Sequence, residues 1–382
     1  MGPWGPFVFS LYAYRIFTMD YLSLANPGVS GLHPYQAGKP IEELERELGI
    51  SNCVKLASNE NPLGLSPKAR AAIEAALADL TRYPDANGFY LKSKLAERFG
   101  LDANGITLGN GSNEVIDLLF HTFVGKGDEV IYSQYSFIVY ALATQAHGAT
   151  AVEVPACDWG HDLDAMLSAI TEKTKLICIA NPNNPTGTVL SADALQAFVA
   201  KVPNRVLVVI DEAYNEYMDP ALRADTASWI SAYPNLVVTR TFSKAYGLAG
   251  LRLGFAISTP ELASVLNRVR EPFNANSLAL IAAQATLDDA DYLARAVSLN
   301  RNEMVRYETY FRELGLDFIP SSGNFITVDL GKPAAAVYQA LLQEGVIVRP
   351  IAGYGMPNHL RISIGTEQEN DRFFVAFKKV FA

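Results

Sequence analysis

LVVTRTFSKAYGLAGLRLGFAIS, residues 236–258, holds two runs of strand-like composition on either side of a polar turn that carries one lysine, Lys244. Neither LVVTR (236–240) nor LGFAIS (253–258) has a period of two, and strands without that period are expected where helices cover both faces of a sheet. Similar runs occur upstream: VIYS at 130–133, LICIA at 176–180 and VLVVID at 206–211, alternating with helical patterns between about Leu56 and Phe273. That alternation predicts an α/β domain with a mostly parallel central sheet flanked by helices, in which ligands sit at the carboxyl ends of the strands. After a helix-rich stretch from Ser277 to Leu314, the strand signals NFITVDL (324–330), VIVRP (346–350) and HLRISIG (359–365) and a last helical segment from Glu367 indicate a smaller α+β domain. The expected division is an irregular extension at 1–18, an arm at 19–55, a large domain at 56–275 and a small domain at 276–382. The arm is expected to carry one short helix, EELEREL (42–48), and to pack on the small domain or on a partner subunit. The extension contains Pro3 and Pro6 and resembles neither a signal peptide nor a membrane span, and Met19 is the expected natural start.

A formal charge of −9 without a basic block works against wrapping nucleic acid or docking on an anionic membrane, so an anionic ligand needs local arginines. Cys53, Cys157 and Cys178 are odd in number and far apart, which fits reduced thiols in the cytoplasm. The histidines show no metal-ligand spacing, and no metal is expected.

Lys244 follows a strand at its carboxyl end, with hydroxyls on Thr241 and Ser243 and a guanidinium on Arg252. A lone lysine is ordinarily a solvated charge. A lysine that is desolvated beside cationic groups has a neutral amine, able to form a Schiff base and to move protons. The run VLVVI leads into Asp211 and, three residues on, Tyr214. A carboxylate buried at a strand end needs a cationic partner, and a protonated ring nitrogen is one. LICIA leads into the Asn- and Pro-rich turn 181–187, where the Asn184 amide and the Tyr214 hydroxyl could reach one ring oxygen. Gly109-Asn110-Gly111-Ser112-Asn113 joins a strand to a helix start, a backbone arrangement that suits phosphate. It lacks the lysine of a nucleotide-binding P-loop.

These four segments, in this order, resemble fold-type I pyridoxal-phosphate aminotransferases, specifically the histidinol-phosphate aminotransferase family. The resemblance extends to GLHPYQAGKP (31–40), KLASNENPLG (55–64), RYPD (82–85) and HLRISIGT (359–366), and runs from about residue 20 onward. It implies that Lys244 binds pyridoxal phosphate covalently, that Asp211 pairs with the ring nitrogen, and that Tyr214 and Asn184 bind the ring oxygen. Phe137 is expected to stack on the ring. Gly111, Ser112, Asn113, Thr241, Ser243 and Arg252 are expected around the phosphate, with Tyr83 entering from the neighbouring subunit of a homodimer. Arg361 is expected to clamp the substrate's anionic group, helped by Arg349 and Tyr35, with Asn184 also near the substrate.

The implied reaction is reversible amino transfer between histidinol phosphate and 2-oxoglutarate in cytoplasmic histidine biosynthesis. Two alternatives share most of these residues: an aromatic amino-acid aminotransferase and a pyridoxal-phosphate-dependent threonine-phosphate decarboxylase.

Overall fold

The computed structural model describes residues 19–32 and 38–381; the 1–18 extension and Tyr35 lie outside the described residues. Seven strands, β1 (Ile106–Gly109), β2 (Glu129–Ser133), β3 (Thr150–Val154), β4 (Thr174–Ala180), β5 (Leu207–Asp211), β6 (Leu236–Thr241) and β7 (Gly254–Ile257), form one sheet in the order β1-β7-β6-β5-β4-β2-β3. Only β7 runs antiparallel to its neighbours. Successive residues of the central strands enter different cores. Ile177, Ile179, Val208 and Ile210 pack into one hydrophobic cluster, whereas Leu176, Cys178 and Val209 pack into the other. Two cores, one on each face, account for the missing period of two, because no face of these strands meets water.

A second sheet contains β8 (Phe318–Ile319), β9 (Phe325–Asp329), β10 (Arg349–Pro350) and β11 (His359–Ser363), in the order β10-β11-β9-β8 and antiparallel throughout. Here the two faces differ. Ile326, Val328, Leu360 and Ile362 join Tyr307, Phe311, Phe373 and Phe377 in a third core. Thr327 and Arg361 form a cross-strand pair, and Thr327 donates a 2.6 Å hydrogen bond to the Pro185 carbonyl in the turn after β4. The second sheet thus turns a polar face toward the carboxyl ends of the first.

Two connections hold the sheets in this relation. The helix Ala290–Glu313 buries Tyr292, Ala296, Asn300, Glu303, Met304, Tyr307 and Phe311, a spacing of mostly three or four residues that keeps one face inward. It reaches from Leu293, packed against the first core, to Tyr307 and Phe311 in the third. Near the amino end, Val54–Lys55 pairs in parallel with Val346–Ile347, and Leu44 of the helix Ile41–Leu48 packs with Ala57, Leu342 and Ile347. The next residues, 57–59, lie between the two sheets.

Candidate active site

β4, β5 and β6 end at Ala180, Asp211 and Thr241, and these ends open on a cavity of about 210 Å³ closed from the other side by Arg349 and Arg361. Lys244 enters it from the turn after β6. Its Nζ donates to the Ser58 carbonyl at 3.0 Å. Burial, reinforced by the Arg361 and Arg252 guanidiniums, lowers the Lys244 pKa to about 8. At neutral pH roughly a tenth of such an amine is unprotonated, about two hundred times the fraction for a solvated lysine.

Asp211 is only 4% exposed. The Tyr140 hydroxyl and the Thr239 hydroxyl each donate to its carboxylate at 3.1 Å. Burial raises its pKa to about 6 against the pull of those two hydrogen bonds. No basic side chain bonds to it among the described residues, so the carboxyl faces the cavity without its compensating cation.

The donors opposite are held from behind. Asn59 Nδ2 donates to the Tyr214 hydroxyl oxygen at 2.9 Å, which leaves the phenolic hydrogen to point elsewhere. Arg361 Nη1 donates to Asn184 Oδ1 at 2.6 Å, which fixes the amide and leaves its two N–H groups as the free side. Asn59 adopts a left-handed conformation with φ 55°, and asparagine tolerates that region better than most residues. Its side-chain Oδ1 accepts from Ser363 Oγ at 2.9 Å, while the Ala57 backbone carbonyl accepts from Arg361 Nη2 at 2.9 Å.

At the far end, the helix Ser112–Phe123 begins directly after Gly111, which has φ 83°. A Cβ at Gly111 would fall 2.4 Å from Arg252 Nη2, and one at Gly254 would fall 2.2 Å from the Ser112 nitrogen. Glycine at both positions lets the helix start and the guanidinium share a small space. Arg252 Nη1 donates to Ser243 Oγ at 3.3 Å, and the Ser243 amide donates to Thr241 Oγ1 at 3.1 Å. Ser112, Asn113, Thr241, Ser243 and Arg252 therefore line one end of the cavity, where free amides, hydroxyls and a positive charge suit a phosphate. Phe137 lines its side.

Of the residues singled out in the sequence, Lys244, Asp211, Tyr214, Asn184, Phe137, Ser112, Asn113, Thr241, Ser243, Arg252, Arg349 and Arg361 meet at this cavity, with Gly111 packed behind Arg252. Tyr83 does not. It is 81% exposed and stacks on Phe273 at 4.6 Å between ring centroids. Sequence reasoning missed Ser58, Asn59, Tyr354, Tyr140 and Thr239. The last two carried a usable signal: Tyr140 falls three residues after Phe137 at the start of a helix, and Thr239 is a polar residue inside a buried strand beside Asp211.

The model of the class I and II aminotransferases matches residues 51–377 of the chain. The chain belongs to that family. Among curated relatives, histidinol-phosphate aminotransferase 2 of Haemophilus influenzae (strain 86-028NP) is 60% identical over 362 residues, covering 95% of this chain and 99% of the relative. Histidinol-phosphate aminotransferase 2 of Pseudomonas aeruginosa is 59% identical over 365 residues, with the same coverage of 95% and 99%. Among solved structures, histidinol-phosphate aminotransferase from Sinorhizobium meliloti in complex with pyridoxal-5'-phosphate superposes with a TM-score of 0.86 at 31% identity, over 97% of this chain and 99% of that one. The architecture is that of the fold-type I transferases.

Proposed function

We propose that this chain is a histidinol-phosphate aminotransferase, which transfers an amino group reversibly between histidinol phosphate and 2-oxoglutarate with pyridoxal phosphate as cofactor. The observation that carries the reading is the pair of groups that meet at one cavity from neighbouring strand ends: a buried Asp211 carboxyl with no basic side chain bonded to it among the described residues and a Lys244 amine made partly neutral by burial. The residues fit pyridoxal phosphate. Asp211 would hold its protonated ring nitrogen, Tyr214 and Asn184 its ring oxygen, Phe137 its face, and the Gly111–Asn113 turn with Thr241, Ser243 and Arg252 its phosphate. When bound, the cofactor supplies the electron sink that makes a carbanion accessible at the substrate carbon bearing the amine.

The chain's own groups perform the rest. The Lys244 amine takes the proton from that carbon as general base and later returns a proton as general acid, a role matched to a pKa near the working pH. Asp211 stays anionic once a cation lies against it, since the pair removes the desolvation cost that raises its pKa. Arg361, aligned by Asn184 and the Ala57 carbonyl, offers a planar fork to the phosphate of one substrate and the carboxylate of the other. Arg349 pairs in register with Arg361 on the adjacent strand and adds charge to the same wall. Burial of Asp211 and Arg361 strengthens the electrostatic interactions they make.

Tyr83 supports a shared site in a homodimer: it is a large, exposed aromatic residue held by Phe273 away from its own cavity. We assign it to the partner's cofactor phosphate, Tyr35 to the substrate, 56–275 to the cofactor-binding domain and 276–382 to the small one. No helix among the described residues is long and apolar enough to cross a membrane, and a biosynthetic enzyme of this kind would act in the cytoplasm. The test is kcat/KM for histidinol phosphate against phenylalanine and tyrosine, each with 2-oxoglutarate. Preference for histidinol phosphate is expected. A preference of more than about tenfold for a free aromatic amino acid, about 1.4 kcal/mol in the transition state, would overturn the substrate assignment.

A further inference from the structure

Two chain segments that build the active site also line a second cavity, of about 670 Å³, on their other side. In 211–216, Asp211 and Tyr214 face the active site, whereas Asn215 and Glu216 face the second cavity. In 239–246, Thr241, Ser243 and Lys244 face the active site, whereas Arg240 and Tyr246 face the second cavity. Helix 290–313 and the residues before it close the far wall with Asp289 and Arg301.

The charges in this cavity are not balanced by one another. Arg240 is satisfied by Glu212 at 2.7 Å, and Arg223 donates to the Glu216 and Met218 carbonyl oxygens rather than to a carboxylate. Arg98 and Arg301, at the mouth, have no carboxylate within salt-bridge distance among the described residues. On the acidic side, Glu216 is only 9% exposed, and burial raises its pKa with Arg240 and Arg223 opposing. Its own backbone N–H donates to its carboxylate, and no other side chain hydrogen-bonds to that carboxylate among the described residues. Asp289 is 7% exposed; its Oδ1 caps the following helix by accepting from the Tyr292 amide at 3.3 Å, and its Oδ2 is fully enclosed with no partner. Two buried carboxylates lining a cavity whose mouth carries two exposed guanidiniums without a carboxylate partner among the described residues fit a ligand with both signs of charge. The volume lies within the range of small-molecule sites.

We propose that this cavity binds a small zwitterion, an amino acid or its phosphate ester, with its ammonium against Glu216 and Asp289 and its carboxylate or phosphate on Arg98 and Arg301. A ligand there would press on the reverse side of the segments that carry Asp211 and Lys244, and so act as an effector of the active site. Equilibrium dialysis of the full-length, cofactor-loaded chain against each of the twenty protein amino acids and O-phosphoserine provides the test. At least one should bind once per chain in the Arg361→Ala protein, where the substrate clamp is gone. That binding should weaken at least tenfold in Asp289→Asn and in Arg301→Ala. Asparagine keeps the helix cap, and Arg301 is exposed, so both variants should fold. No binding by any of these probes would overturn the proposal, as would binding that vanishes in Arg361→Ala and persists in Asp289→Asn. Equal binding of glutarate, which lacks an ammonium, would show that the acidic wall plays no part and would also overturn it.

Discussion

The two walls of the active-site cavity are built by different means. On the seven-stranded side, Asp211 and Thr241 end parallel strands, and Ser243, Lys244 and Arg252 follow within one turn. Their positions are set by backbone ladders and two cores. On the other side, Arg361 comes from the middle of an antiparallel strand, Arg349 from the neighbouring two-residue strand, and Ser58 and Asn59 from an irregular link between the sheets. There the positions are set by side-chain hydrogen bonds that span up to 304 residues of sequence. The strand-end wall holds the groups that change charge during the reaction, and the opposite wall holds those that align. Changes on the first wall should therefore remove chemistry, and changes on the second should shift binding or orientation.

Lys244→Ala is the largest break. Without the amine there is no group placed to move the proton, and kcat should fall by at least about ten thousandfold, the upper range for general acid–base catalysis, with the covalent lysine attachment also lost. Single-turnover kinetics and mass spectrometry of the borohydride-reduced protein read both effects; turnover within about tenfold of wild type would refute the assignment. Asp211→Asn comes next. It leaves a buried ring cation without its charge partner, a loss of about 3 kcal/mol or roughly a hundredfold in cofactor affinity, in kcat or in their product. Equilibrium dialysis of the cofactor against the apoprotein separates the two.

The same difference between the walls decides what the sequence revealed. Strand ends in a parallel sheet announce themselves: an apolar run stops, and the next residue with a charge or a hydroxyl faces the ligand edge. Asp211, the 181–187 turn and the 241–252 turn were all legible in this way. The antiparallel direction of β7 was not, because an apolar run carries no direction. Nothing local marks Asn59 or Ser58, whose partners Ser363, Tyr214 and Lys244 lie more than 150 residues away. Resemblance to a family flagged the stretch around them, but not the contacts they make. Tyr140 gave only the signal of its spacing from Phe137: on a helix with three buried residues it reads equally as core, and it is a donor because Asp211 at the end of β5 lies within 3.1 Å of its hydroxyl.

Arg361→Lys sharpens the comparison from the alignment side. Lysine keeps the charge but loses the fork that bonds Asn184 and the Ala57 carbonyl while facing the cavity. KM for both substrates should rise tenfold to a hundredfold, on the order of 1.4–2.8 kcal/mol, with kcat changed less. A fall in kcat with KM unchanged would place Arg361 among the groups that do chemistry, and the division between the walls would fail.

Asn59→Gly is the smallest and most discriminating change. Glycine accepts φ 55° without strain, so the backbone that carries Ser58 and its bond to Lys244 can stay in place. What disappears is the donor behind the Tyr214 hydroxyl and the acceptor for Ser363. One neutral hydrogen bond of this kind contributes about 1 kcal/mol, so kcat should fall by roughly fivefold to tenfold, with cofactor retention and KM close to wild type. The Tyr214→Phe change removes the hydroxyl that Asn59 orients, so the two effects should not add: the double variant should be no slower than Tyr214→Phe alone. Additive losses in that cycle would mean that Asn59 acts through Ser363 and the second sheet, and that the link between the sheets transmits to the active site by a route other than Tyr214.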